Sequence, residues 1–409
     1  MSRKTYTWIV ILTLIILGFV AWWLFSHENK AVPASQPAQT NQNLFPYGQN
    51  ATSSSNGSEA SGGQGTVIVG NSPTTPPALV HITMTPVSGA IFLPEGKNSS
   101  TTTLRYIDRA TGHIYDYSFD TGTSTEVTNT TIPKVYEGSF SSTGARAYLQ
   151  TLDESSQIET VSAAVPTAAT TGPTALTDVR FLPKNIISIA TNASSLFYLV
   201  KTANGSAGYV SALDGTKASQ VVSPSLSELI AAWQSPSITL TTKASASAGG
   251  YFFNVNTKTG GLTPLIDDIP GLTAFANPAG TFVFGSESGG GTIQSFIYDE
   301  KKGATRTIPL STLADKCAWS RINPNAIYCA VPTSTSGNLP DDWYQGNISL
   351  SSDNIWKISA DTGVTNIIDF LSERNPNIDA EKLSLDGNEK WVAFTDKQDL
   401  TLWALRIGQ

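Results

Sequence analysis

The spacing of apolar residues divides the chain into three stretches. The first is one unbroken run. Trp8 to Phe25 is apolar apart from Thr13 and Gly18, and extending it back to Tyr6 gives 20 residues. At about 1.5 Å of rise per residue that is roughly 30 Å, the thickness of a bilayer's hydrocarbon core. Tyr6 and Trp8 lie at one end and Trp22 and Trp23 at the other, where amphipathic rings meet the two interfaces of a spanning helix. The second stretch, residues 31–77, has few large apolar side chains and is rich in Pro, Ser, Thr, Asn, Gln and Gly. Such a composition buries too little apolar surface to offset the entropy of ordering. In the third stretch, 78–409, short apolar or alternating runs are cut by Gly, Pro, Asn and Asp. Leu196–Val200, Tyr251–Val255, Ile293–Tyr298 and Leu400–Leu405 are examples. Valine, isoleucine, threonine and aromatics dominate them, which predicts β-strands. Long helical periodicity is missing, and Ser225–Trp233 is expected to form one or two helical turns.

These patterns predict a cytoplasmic N-terminus at 1–5, a transmembrane signal-anchor helix at 6–25, a linker at 26–77 and an all-β domain at 78–409. Arg3 and Lys4 ahead of the run keep the short N-terminus cytoplasmic and send the domain out, to the periplasm or cell surface. A cleaved signal peptide is the alternative. Its nearest site, Val32-Pro33-Ala34, lies nine residues past Phe25, and the length of the run favours the anchor. No cysteine follows closely enough for a lipid attachment.

The strands recur as a unit. Phe140, Phe181, Trp233, Phe275, Trp319 and Leu383 each precede a turn within a few residues, at intervals of 41 to 64 residues. Met84, ahead of Pro86-Val87-Ser88-Gly89, adds a seventh landmark. Turns of a second kind follow the strands: Asp108–Gly112, Asp120–Gly122, Asn256–Gly260 and Asp361–Gly363. There glycine supplies positive φ and the Asp or Asn side chain closes the turn. Four-stranded blades occupy roughly 40–50 residues each, so a seven-bladed β-propeller is expected. The last unit offers only three strands. Ala78–Thr83, ahead of the first unit and alternating in character, is expected to complete it and leave no open edge.

Ala380–Leu405, reading AEKLSLDGNEKWVAFTDKQDLTLWAL, is similar to the WD40-like repeat of bacterial TolB-type propellers, and Cys317–Ile368 resembles the same repeat with a loop inserted. Thr85–Leu93 and Pro340–Gly346 resemble stretches of membrane-anchored propellers from candidate-phylum bacteria. The resemblance implies a propeller scaffold and brings no catalytic assignment.

Charge narrows the partners. Without residues 1–30, which hold three basic groups and one acid, 22 basic and 31 acidic residues remain, a net of −9. That surface lacks the basic footprint of a nucleic-acid binder. The two cysteines, Cys317 and Cys329, are twelve apart with Asn323-Pro324-Asn325 between them. Facing positions of a hairpin would let them form a disulfide, while two buried thiols fit the sequence equally well. Neither cofactor nor metal is expected, because the cysteines lack histidine neighbours and no nucleotide-binding or EF-hand motif occurs. His81 and His113 are expected at an edge and in a turn. Gly285-Ser286-Glu287-Ser288-Gly289 puts Glu where a hydrolase nucleophile belongs. The pairs Asp153-Glu154 and Asp267-Asp268 are expected in solvated turns.

One insertion stands out. Pro332–Asp353 separates two strands of the sixth unit and contains Asp341, Asp342, Trp343 and Tyr344. The next loop on the same face, Phe370–Asp379, carries Glu373 and Arg374. Aromatics and arginine anchor interfaces. The two loops are therefore expected to present these six residues to a protein or glycan, although Trp343 could instead plug its own loop onto the blade. The function expected is a binding or scaffolding module of the cell envelope. The alternatives are a glycan-active hydrolase or lyase, and a periplasmic accessory of a secretion or uptake machine.

Overall fold

The computed structural model describes residues 79–94, 101–167, 172–234 and 237–408. The N-terminus at 1–5, the anchor at 6–25 and the linker at 26–77 lie outside them. Among the described residues no helix is long and apolar enough to cross a membrane.

Among the described residues every strand pairs only with antiparallel neighbours, in seven four-stranded sheets. Six of them are consecutive in sequence: residues 87–126, 137–181, 186–222, 229–270, 273–307 and 317–369 form blades 1 to 6. Blade 7 takes its first three strands from Ala380–Leu385, Trp391–Asp396 and Leu402–Arg406, and its fourth from Leu79–His81. Leu79 pairs with Leu405, Val80 with Ala404 and His81 with Trp403. The His81 ring stacks on Trp403 with centroids 3.8 Å apart. The expected propeller and its closing strand are thus both present.

Apolar alternation along each strand fills the gaps between blades rather than one central core. Phe284, Ile297 and Ile308 of blade 5 pack on Trp319, Ile327 and Ile358 of blade 6. Tyr328 and Ile355 of blade 6 pack on Leu385, Val392 and Phe394 of blade 7. The innermost strands of blades 1 and 2 come so close that a Cβ on Gly89 would lie 2.0 Å from the Gly138 carbonyl oxygen. Only glycine permits that approach.

Three expectations need correction. The first concerns Ser225–Trp233, where Leu229–Gln234 is the first strand of blade 4, paired through Ile230↔Thr241 and Trp233↔Ile238, so sheet pairing overrides the weak local preference. The second concerns two landmarks. Phe181 closes the fourth strand of blade 2, and Met84 lies between the closing strand and blade 1, whereas the other five landmarks sit in first strands. The third concerns Asp267-Asp268, which lies in the strand Leu262–Pro270, with Asp268 at φ 54° beside a break in register.

Cys317 and Cys329 face each other on the first two strands of blade 6 and are bonded, with Sγ–Sγ 2.09 Å. The loop between them is short, so the chain-entropy contribution is about 3 kcal/mol at most. Changing both to serine is expected to lower the denaturant midpoint, with reductant producing the same loss in the parent chain and none in the double variant.

Candidate functional site

In a four-stranded antiparallel blade the second-to-third loop and the link into the next blade leave the ring on one face. The long insertion after Ala326–Pro332 and the link after Thr365–Asp369 obey this and meet there. The insertion also leans across its neighbours. Asp341 Oδ2 accepts the Ala246 amide of blade 4 at 2.7 Å. Leu339, Trp343 and Leu350 pack on Ile293 and Leu313 of the blade 5 region. Residues 341–344 form a single helical turn at the centre of the insertion, with Tyr344 N bonded to the Pro340 carbonyl at 2.9 Å. The insertion therefore reaches from the loop of blade 4 to the entry of blade 7.

Trp343 is not the exposed anchor that the sequence suggested. It is 1% exposed, and its Nε1 donates to Asp379 Oδ2 at 2.9 Å. Lys397, on the second-to-third loop of blade 7, lies over the ring at 4.5 Å from its centroid. Burial of a large ring with its one donor satisfied, under a cation, makes Trp343 the pin that fastens the insertion to blade 7. Asp342 is also internal to the loop. Its Oδ2 accepts from Asn338 N at 2.8 Å and its Oδ1 from Asn347 Nδ2 at 3.4 Å. With Asp341 held by Ala246, neither member of the pair has a free carboxylate pointed at a partner carboxyl.

Tyr344, partly exposed, lines two adjoining hollows. One, about 430 Å³, lies between Tyr344, Asn347, Ser349, Lys397 and Gln398. The other, about 140 Å³, is lined by Asp315, Thr273 and Ile230 as well as Tyr344. Tyr344 donates to Asp315 Oδ2 at 3.1 Å. Burial pushes the Asp315 carboxyl up, and Tyr344 is pushed well above the ordinary phenol by burial and then by Asp315. Glu381, on the first strand of blade 7, is likewise raised by burial, although Lys397 at 3.6 Å works against the shift. Glu373 and Arg374 lie exposed on the neighbouring link. Arg374 Nε bonds Asp369 at 3.1 Å. Phe370, 51% exposed at the start of the same link, adds an aromatic to that link.

Beneath these residues is a cluster that the sequence did not signal. Lys316 Nζ is fully buried and sits 2.5 Å from Asp379 Oδ1 and 3.0 Å from Asp353 Oδ2. Burial alone would lower the ammonium's pKa, but the two carboxylates outweigh it and hold it up. Burial pushes Asp353 up to about 7. Asp379 is also penalised by burial, yet Lys316 and the donors on Oδ2 bring it below the usual carboxylate range. Nothing local marks Lys316, because its surroundings come from an insertion and a link far along the chain.

His81 and His113 are far apart in role. His113 Nδ1 lies 2.8 Å from Glu126 and its Nε2 3.0 Å from Thr131, at the margin of blade 1.

No protein-family model and no curated protein matches the chain. Solved structures do. The Cps50 (Swd1) β-propeller domain of Myceliophteria thermophila overlays with a TM-score of 0.51 at 8% identity, over 81% of this chain and 100% of that one. An oligogalacturonate lyase of Vibrio parahaemolyticus overlays at 0.50, with 8% identity, over 81% of this chain and 94% of its own. TolB from Acinetobacter baumannii gives 0.42 at 10% identity, and the match spans 68% of this chain and only 62% of the TolB chain. At such identities the likeness is one of fold, and the fold is that of a β-propeller.

Proposed function

We propose that this chain is a binding module of the cell envelope, anchored through residues 6–25, that displays its propeller outside the cytoplasm and grips a protein or glycan at the bridged face. The observation that carries the reading is the insertion pinned by Trp343. It holds Tyr344 at the junction of two hollows, with Lys397, Gln398 and Asn347 around one of them. A rigid aromatic whose hydroxyl is tied to Asp315, with amide and ammonium groups beside its ring, suits a sugar ring or a peptide edge. Glu373, Arg374 and Phe370 extend the same face. The apolar run from Tyr6 to Phe25, long enough to cross a bilayer core, supports the placement at a membrane.

A glycan lyase is the second reading. Asp315 lines the smaller hollow beside Tyr344, Glu381 lies 3.6 Å from Lys397, and burial raises both carboxyls towards the range of an acid or base. The experiment is affinity capture from membranes with the full chain, parent against Tyr344→Ala, together with product analysis on uronate-containing glycans. The binding module predicts partners that the variant captures at least tenfold more weakly and no unsaturated product. Unchanged capture by the variant removes the face from the reading, and product formation by the parent replaces the module with the lyase.

A further inference from the structure

The cluster under the insertion has more parts than an ion pair needs. One carboxylate satisfies one ammonium, yet two face Lys316, and all three side chains are at most 1% exposed. Asp379 has its two oxygens in different settings. Oδ1 touches Lys316 Nζ. Oδ2 accepts Trp343 Nε1 at 2.9 Å, Ser349 Oγ at 3.0 Å and the Leu350 amide at 2.8 Å. Three donors fixed on one oxygen in a dry site are what stabilises charge on that oxygen when its carbon is attacked. The attacking nitrogen already touches the other oxygen of the same carboxyl. Asp353 shares the same nitrogen through Oδ2, which also accepts Ala380 N at 2.7 Å, while its Oδ1 has no hydrogen-bond partner. Burying an ammonium and a carboxylate is costly, and a neutral amide in their place removes that cost.

We propose that Lys316 and Asp379 condense to an intramolecular amide, with Asp353 carrying the proton. In its neutral state the triad holds one ammonium, one carboxylate and one carboxylic acid. Moving the ammonium proton to Asp379 Oδ1 leaves a free amine against a neutral carboxyl. The Nζ lone pair forms a bond to Cγ, and Oδ2 takes up the displaced electron pair among its three donors. Asp353 accepts a proton from the nitrogen and delivers one to Oδ1. The Cγ–Oδ1 bond breaks, water leaves, and Asp353 is restored. No oxidant, reductant or cofactor takes part. Held contact between the groups replaces the activation that a free lysine and aspartate would need. Asp379 also borders the larger hollow, which gives the released water a way out. The product ties the entry to blade 6 covalently to the entry to blade 7.

The test is peptide mapping by mass spectrometry of the full chain, reduced and unfolded. The expected result is a branched peptide joining the segments that contain Lys316 and Asp379, lighter by one water than the two together. Separate, unmodified peptides from the folded parent overturn the proposal. Asp353→Asn, close to the parent in shape, is expected to yield the two peptides unlinked. A linked product from that variant removes Asp353 as the proton carrier.

Discussion

Relative to the chain with Lys316 and Asp379 unlinked, Asp379→Ala is expected to lower the free energy of unfolding by about 3–5 kcal/mol, the cost of stripping one partner from a buried charge pair. Three losses combine. Lys316 keeps the Leu350 carbonyl at 3.3 Å and Asp353, whose own ionisation burial opposes. Trp343 Nε1 and the Leu350 amide lose their acceptor in a region closed to water. The insertion and the link come apart where Asp379 held them, so the wall of the larger hollow loosens as well. Denaturant unfolding followed by tryptophan fluorescence reads the first effect, and proteolysis within residues 333–352 reads the last. Asp342→Ala, which removes bonds inside the insertion alone, is expected to cost about 1 kcal/mol. Equal losses from the two variants would mean that Asp379 acts only as another loop contact.

Deleting residues 79–83 is expected to cost roughly 5 kcal/mol and to make the domain self-associate. Leu79, Val80 and Ile82 are partly buried aliphatics of the closing strand, worth about 1–2 kcal/mol each when shielded from water. The bonds lost include Ile82 N to the Leu402 carbonyl at 2.8 Å and Leu402 N to Thr83 Oγ1 at 3.0 Å, at about 1 kcal/mol apiece. The deletion also bares the third strand of blade 7, with Trp403 stripped of its stacked partner. An unpaired edge flanked by apolar side chains recruits other chains. Light scattering and thermal unfolding at several protein concentrations read both consequences. A monomeric, fully stable truncated chain would mean that the other 27 strands close adequately without this one.

Seven blades are legible in the sequence because the turn chemistry is local. Asn256–Gly260 and Asp361–Gly363 mark the ends of third strands from their own residues, as Asn256 Oδ1 accepting Lys258 N and Thr259 N illustrates. The closing strand is legible because a blade short of one strand must find it elsewhere. Which way Trp343 faces is not legible, since its acceptor Asp379 lies 36 residues away and beyond another pair of strands. The Lys316 triad is hidden for the same reason, with the Lys316–Asp379 contact spanning 63 residues. Phe181 misled because an aromatic ahead of a Pro-Lys-Asn turn has the same local pattern at the end of a fourth strand as at the end of a first. Turn spacing counts blades reliably but does not fix their phase.

The pairing of Leu79–His81 with Leu402–Arg406 sets a timetable for biosynthesis. The strand that completes blade 7 is among the first described residues a ribosome makes, and its mate is the last. Blades 1 to 6 can assemble in sequence as they emerge, each from neighbours close in the chain. The early strand must wait unmated through all of that, so the native ring forms in one late step, once Leu402–Arg406 is available to receive it.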